Sequence, residues 1–196
     1  MMHKEEAEFI LAEVEALSGL TAETVRSWRR KGYLPPVKAY AKITVTELAS
    51  LVIRKRLTTY GFGPAESQPV ADRHAPLLLY YAVLDTAGAC EVRGTPQALV
   101  QFEAEFDRSE NLAKEVAGVE DSAATVLISI DGSELVAEAA EALDIGEDNG
   151  DGYFINLRGL GRQLGAAAGK PLVKIQLSVP DGDRSRQLVR RFPRYI

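Results

Sequence analysis

The stretch L-S-G-L-T-A-E-T-V-R-S-W-R-R-K-G-Y-L-P-P, Leu17 to Pro36, decides the reading of this chain. Gly19 permits a tight turn, and Thr21 can cap the helix that follows. Val25 and Trp28 give that helix an apolar side, while Arg26, Arg29 and Arg30 give it a cationic one. Gly32 stands where a helix commonly ends, and Pro35-Pro36 prevents its resumption. This is the order that lays one helix in a DNA major groove.

Working outward, Lys4 to Ser18 places Phe9, Leu11, Val14 and Leu17 at a roughly helical spacing. Ala22 to Lys31 is the candidate recognition helix. Pro35 to Ile43 is bracketed by prolines and β-formers and fits a small hairpin-like wing. After Thr46 come Glu47, Leu48, Leu51, Val52, Ile53 and Leu57, an amphipathic helix that ends near Tyr60, before Gly61 and Gly63-Pro64.

Charge supports this division. The whole chain of 196 residues carries −5 at pH 7. Thr21 to Arg56, however, holds nine basic residues against two acidic ones, a net of +7 that leaves −12 on the remainder. A cationic unit joined to an acidic, solvated one is the asymmetry expected of a DNA-binding protein. The 46% hydrophobic and 26% charged composition is that of an ordinary globular protein. Apolar runs are too short to span a bilayer, and the opening M-M-H-K-E-E is too acidic for a signal peptide. One cysteine, Cys90, and two histidines, His3 and His74, rule out a disulfide framework and a thiolate or imidazole metal centre. The expected location is the cytoplasm.

Residues Leu11 to Phe62 resemble the MerR family of winged-helix transcription regulators. Leu11, Val14, Leu17, Gly19 and Leu20 match the family's first helix and turn. Thr21, Thr24, Val25, Arg26 and Trp28 fall where the family has its Ser, Thr, Leu, Arg and second aromatic. Gly32, Leu34 and Pro35-Pro36 match the exit, Tyr40 the wing tyrosine, and Leu48 with Gly61-Phe62 the helix beyond it. The resemblance implies a homodimer acting on double-stranded DNA at a promoter, within reach of RNA polymerase. The chain departs from the family at Glu15, usually a small residue, at Glu23, often an arginine, and at Ser27, the first of two aromatics. Its wing is also shorter and lacks the Asn-Gly turn.

The expected contacts follow from side-chain chemistry. Arg26, Arg29 and Arg30 meet phosphates or guanine edges. Thr21 and Thr24 bond phosphate at the helix start. Lys38, Tyr40 and Lys42 on the wing, with Arg54, Lys55 and Arg56, hold backbone phosphate. Glu23 can accept from a cytosine N4 amino group. Trp28 serves either DNA contact or the core.

The expected fold class is α+β: residues 1–66 form the winged helix-turn-helix, 67–76 a linker, and 77–196 a small α+β domain with a mixed sheet for oligomerisation or sensing. In that second part, Leu77 to Arg93 reads as a β-hairpin around Thr86-Ala87-Gly88, with Leu77 to Tyr81 as a buried helix the other option. Thr95-Pro96 opens a helix through Phe106. Strands are expected at Thr125 to Ile130, Tyr153 to Leu157 and Leu172 to Val179, and helices at Ser133 to Leu143 and Leu160 to Ala168. The glycines and prolines of Gly61 to Pro76 (Gly61, Gly63, Pro64, Pro69 and Pro76) break any long continuous helix, so a dimer needs a surface other than a coiled coil.

Three motifs fail on their chemistry. Gly165 to Lys170 imitates a phosphate loop, but it is one residue short and ends a helix instead of opening one. Gly159-Leu-Gly161 lacks its third glycine. Glu147 to Gly152 begins like a calcium loop, yet Arg158 occupies the place of the bidentate glutamate. His74 reads as a surface residue and Cys90 as a small buried one. No nucleophile and base are spaced for catalysis, so neither an enzyme nor a cofactor is expected. The arginine-rich C-terminus reads as a solvated tail, with a phosphate clamp or a partner-binding arm as its alternatives. Sequence-specific transcription regulation is the expected function. An excisionase-type DNA-bending factor and a DNA-tethered docking module are its rivals.

Overall fold

The computed structural model describes residues 2–36, 42–106, 108–120, 126–130, 133–137, 152–178 and 187–193, the strands at 126–130 and 133–137 by their backbone alone. The fold is α+β, and a mixed four-stranded sheet anchors it.

The chain starts in that sheet. Strand β1, Met2–Glu6, pairs antiparallel with β8, Val173–Leu177, placing Met2 opposite Leu177 and Glu6 opposite Val173. Lys4 to Glu6, expected at the start of a helix, are therefore in a strand. This edge strand exposes His3, Lys4 and Glu5, so it carries no apolar alternation for a sequence reading to detect. Parallel to β8 runs β4, Cys90–Gly94, and antiparallel to β4 runs β9, Leu188–Phe192, so this part of the expected solvated tail is instead an edge strand of the sheet. The order is β1-β8-β4-β9. Val92, Val173, Ile175 and Leu177 point inward, as the two-residue period of a one-sided sheet requires.

Next come β2, Glu8–Phe9, then α1, Leu11–Ser18, and α2, Ala22–Arg30. Gly19 closes α1 at φ +72°, where a side chain would be strained. Thr21 caps α2: its Oγ1 accepts from the Thr24 N–H at 3.2 Å. The two-residue strand β3, Ile43–Thr44, pairs with β2 from the segment before α1. The tip of the expected wing, residues 37–41, lies outside the described residues. Helix α3, Val45–Thr59, opens on a reciprocal cap, Thr44 Oγ1 accepting from the Glu47 N–H and Glu47 Oε2 from the Thr44 N–H at 2.9 Å.

Residues 67–76 are no linker, and Leu77 to Leu84 is no strand: both belong to α4, Pro64–Leu84. Pro64 sits in the first turn, where no amide is needed. Pro69 and Pro76 lie inside the helix at a cost of up to about 3 kcal/mol each, less where neighbours compensate. Twelve buried residues, among them Leu78, Leu79, Tyr80, Tyr81 and Val83, outweigh that cost. His74, expected at the surface, is one of the buried residues. The β4 half of the expected hairpin is present, and Cys90 is buried as expected, together with Tyr81, Val83 and Val92.

Thr95 caps α5, Pro96–Glu105, accepting from the Ala98 N–H at 3.2 Å, and α6, Ser109–Ala117, follows. A second sheet orders β6, Ser133–Ala137, beside β5, Val126–Ile130, beside β7, Gly152–Asn156, all antiparallel. Ser133 to Ala137 is therefore strand, not the start of a helix; residues 138–143 lie outside the described set, as does the acidic turn up to Asp151. Helix α7, Leu157–Ala168, is capped by Asn156 Oδ1, which accepts from the Gly159 N–H at 2.7 Å.

Core residues form one continuous cluster, from Phe9, Val14 and Trp28 through Leu57 and Leu78 to Ile155 and Ile175. Arg158 on α7 clamps Asp85 at the end of α4 with two hydrogen bonds of 2.7 and 3.0 Å. Lys170 Nζ reaches back to Glu13 Oε1 at 2.8 Å and to the Glu8 carbonyl at 2.9 Å. The amino-terminal helices and the sheet thus share one interior. No described helix is long and apolar enough to cross a membrane.

Candidate nucleic-acid interface

Helix α2 is fixed from behind and open in front. Val25 is fully buried and Trp28 only 7% exposed. Seven residues make nearly two turns, so Glu23, Arg26 and Arg30 align on the face opposite this apolar pair. Arg26 and Arg30 expose 59% and 71% of their side chains, and Glu23 exposes 70%. Arg29 lies on the flank, half-buried, and its Nε has no hydrogen-bond partner among the described residues. Lys31, at the helix end, is exposed.

Glu23 is the counterion of this face. Its Oε1 accepts from Arg30 NH2 at 2.9 Å, and its Oε2 lies 3.9 Å from Arg26 NH1. The spacings i,i+3 and i,i+7 in the sequence carry this signal, which a residue-by-residue reading passes over.

The first turn of α2 is already occupied. Glu15 Oε2 accepts from the Ala22 N–H at 3.1 Å, Thr21 Oγ1 accepts from the Thr24 N–H, and the two threonine hydroxyls share a 2.8 Å hydrogen bond. Thr21 and Thr24 are therefore spent on shaping the helix start, and the Glu15 carboxylate disfavours an anion there. The cationic surface of α2 is its middle and carboxyl end.

Of the two roles open to Trp28, the structure gives it the core, and DNA contact falls away. Its ring is turned inward beneath the guanidinium of Arg54, whose Cζ lies 4.2 Å from the ring centroid. Arg54 is itself fully buried and reaches no solvent phosphate. Its NH1 donates to the Tyr33 carbonyl at 2.8 Å and its NH2 to the Pro64 carbonyl at 2.9 Å. Burial pushes its pKa below the usual guanidinium value, partly offset by the Asp72 carboxylate. Arg54 thus ties the exit of α2 to the start of α4.

Of the remaining basic residues, Lys42 is exposed and pairs with Glu8 at 3.1 Å. Lys38 and Tyr40 lie outside the described residues. Lys55 is half-buried on α3. Arg56 is exposed and lines a cavity of about 310 Å³ with Tyr60, Phe154, Asn156 and Gln163.

No family model, curated protein or solved structure matches the chain. Among the described residues no group of acidic, histidine or cysteine side chains is arranged to hold a metal ion. Cys90 is buried, and burial, with the Glu91 carboxylate, pushes its thiol up to about 12. A protonated thiol is a poor nucleophile.

Proposed function

We propose that this protein is a cytoplasmic, sequence-specific DNA-binding transcription regulator that reads the major groove with α2. The observation that carries the proposal is the exposure of Arg26 and Arg30 on the side of α2 opposite Val25 and Trp28. Arg29 and Lys31 extend the same charge toward the helix end. Arginines placed this way meet phosphates and guanine edges, and the phosphate term supplies most of the affinity. A two-fold DNA site calls for a homodimer. Because α4 is spent on the protein's own core, the dimer surface lies elsewhere on the α+β body, and so does any contact with RNA polymerase.

The test is recovery of genomic fragments bound by the purified protein. One short inverted repeat near promoters supports the regulator. Clustered direct repeats with strong bending indicate instead an excisionase-type factor. No enrichment rejects the DNA reading and leaves a docking module.

A further inference from the structure

We infer that Glu23 is the base-discriminating residue of α2, and that with Arg30 it reads a C·G pair. The inference rests on the DNA-binding role proposed above. Glu23 and Arg30 stand on the same outer line of the helix, both about 70% exposed, with carboxylate and guanidinium held 2.9 Å apart. A base-reading element here presents an acceptor and a donor side by side.

The major-groove edge of a C·G pair is the matching surface. Cytosine offers its N4 amino group, and beside it guanine offers the acceptors O6 and N7. The amino group and O6 are themselves one hydrogen bond apart, as are Glu23 and Arg30. Glu23 accepts from N4 while Arg30 takes O6 and N7 as a fork. An A·T pair fits worse. Its amino group lies between the thymine O4 and the adenine N7, so a carboxylate there faces an acceptor on either side.

Repulsion does as much as attraction. Placed against phosphate or an acceptor edge, Glu23 opposes binding and keeps its grip on Arg30 and Arg26. Only an amino donor lets the carboxylate stay while an arginine turns to the DNA. The first turn of α2 strengthens this, because Glu15 and Thr21 hold two of its amides, those of Ala22 and Thr24, that would otherwise bind phosphate without regard to sequence.

The experiment is selection from a random duplex library with the wild type, Glu23→Ala and Glu23→Gln, then anisotropy titrations on one selected duplex and its C·G-to-T·A derivative. All three proteins keep their fold, since Glu23 is a solvated helix residue. The wild type selects an invariant C·G pair and prefers it by roughly ten- to a hundredfold. Glu23→Ala binds DNA with that preference removed and with a salt slope steeper by about one. Glu23→Gln moves the preference toward adenine. An unchanged C·G preference in Glu23→Ala overturns the assignment while leaving the DNA role standing. A wild type that binds no duplex overturns both.

Discussion

The guanidinium of Arg54 lies 4.2 Å above the Trp28 ring in an interior that leaves Arg54 no exposed surface. A buried cation needs partners for its donors: the backbone carbonyls of Tyr33 and Pro64 each take one, while the Arg54 Nε has no hydrogen-bond partner among the described residues. The contact fixes how α2 stands on α3.

Arg54→Met keeps the volume but leaves both carbonyls without that donor, and is expected to cost about 2–4 kcal/mol of unfolding free energy. Trp28→Leu combined with it in a double-mutant cycle should return a coupling of about 1–2 kcal/mol. Urea denaturation measures both. A zero coupling energy would mean that the ring and the guanidinium are neighbours without attraction.

Gly161 sets the distance between α7 and α4. A Cβ there would lie 2.7 Å from the Leu78 carbonyl oxygen and 2.9 Å from the Ala82 nitrogen, both backbone atoms that cannot swing aside. Gly161→Ala should therefore destabilise the protein by about 1–3 kcal/mol, although alanine is the better helix former. A thermal midpoint at or above that of the wild type would contradict this packing.

Glu13 ties α1 to the far end of the chain. The hydrogen bond from Lys170, then that from the Ile10 N–H, lowers its pKa from the ordinary value near 4.5. A carboxyl depressed in the folded state stabilises fully above its unfolded pKa, and that share is lost as pH falls through the folded value. The stability difference between wild type and Glu13→Gln should hold from pH 7 to about 5 and shrink below about 4.5. Both side chains are more than one third exposed, so the difference is modest, under about 1 kcal/mol. A difference that grows toward acid pH would reverse the sign.

Cys90 gives the opposite trend at alkaline pH. The unfolded thiol ionises near the ordinary value of 9.0, the folded one only at about 12. Its share of stability is present below pH 9 and is lost between those values. Cys90→Ala should flatten that alkaline decline. In the native wild type, a thiol reagent at pH 8 should label Cys90 only through unfolding. Labelling as fast as that of a free thiol would contradict its burial.

The sequence reveals those elements whose signals are local. Thr21 and Thr95 cap the helices expected of them, and the alternating runs at β5, β7 and β8 are strands. Two features are hidden because tertiary contacts decide them, and a third has a local signal that is easily passed over. Prolines at 64, 69 and 76 suggest a break, but the cost is offset by packing on nearly every side of α4. Strand β1 is specified by β8, a partner some 170 residues away, and not by its own side chains. For β6, Asp131-Gly132 between two β-rich runs is a hairpin signature that a helical reading of Ser133 onward overlooks. At the interface, the exposed arginines were legible from helical spacing. The apolar side formed by Val25 and Trp28 is legible in the same way, but the burial of Arg54 against the Trp28 ring is not, because it depends on carbonyls of Tyr33 and Pro64 brought together by the fold.

The central claim is that the outer face of α2 carries the attraction to DNA. Its most direct measure is duplex binding by fluorescence anisotropy from low to moderate salt, for the wild type and for Arg26→Glu combined with Arg30→Glu. Wild-type affinity should fall steeply as salt rises, and the double variant, folded by circular dichroism, should bind at least about a hundredfold more weakly at low salt. Equal affinities for the two proteins would contradict the account.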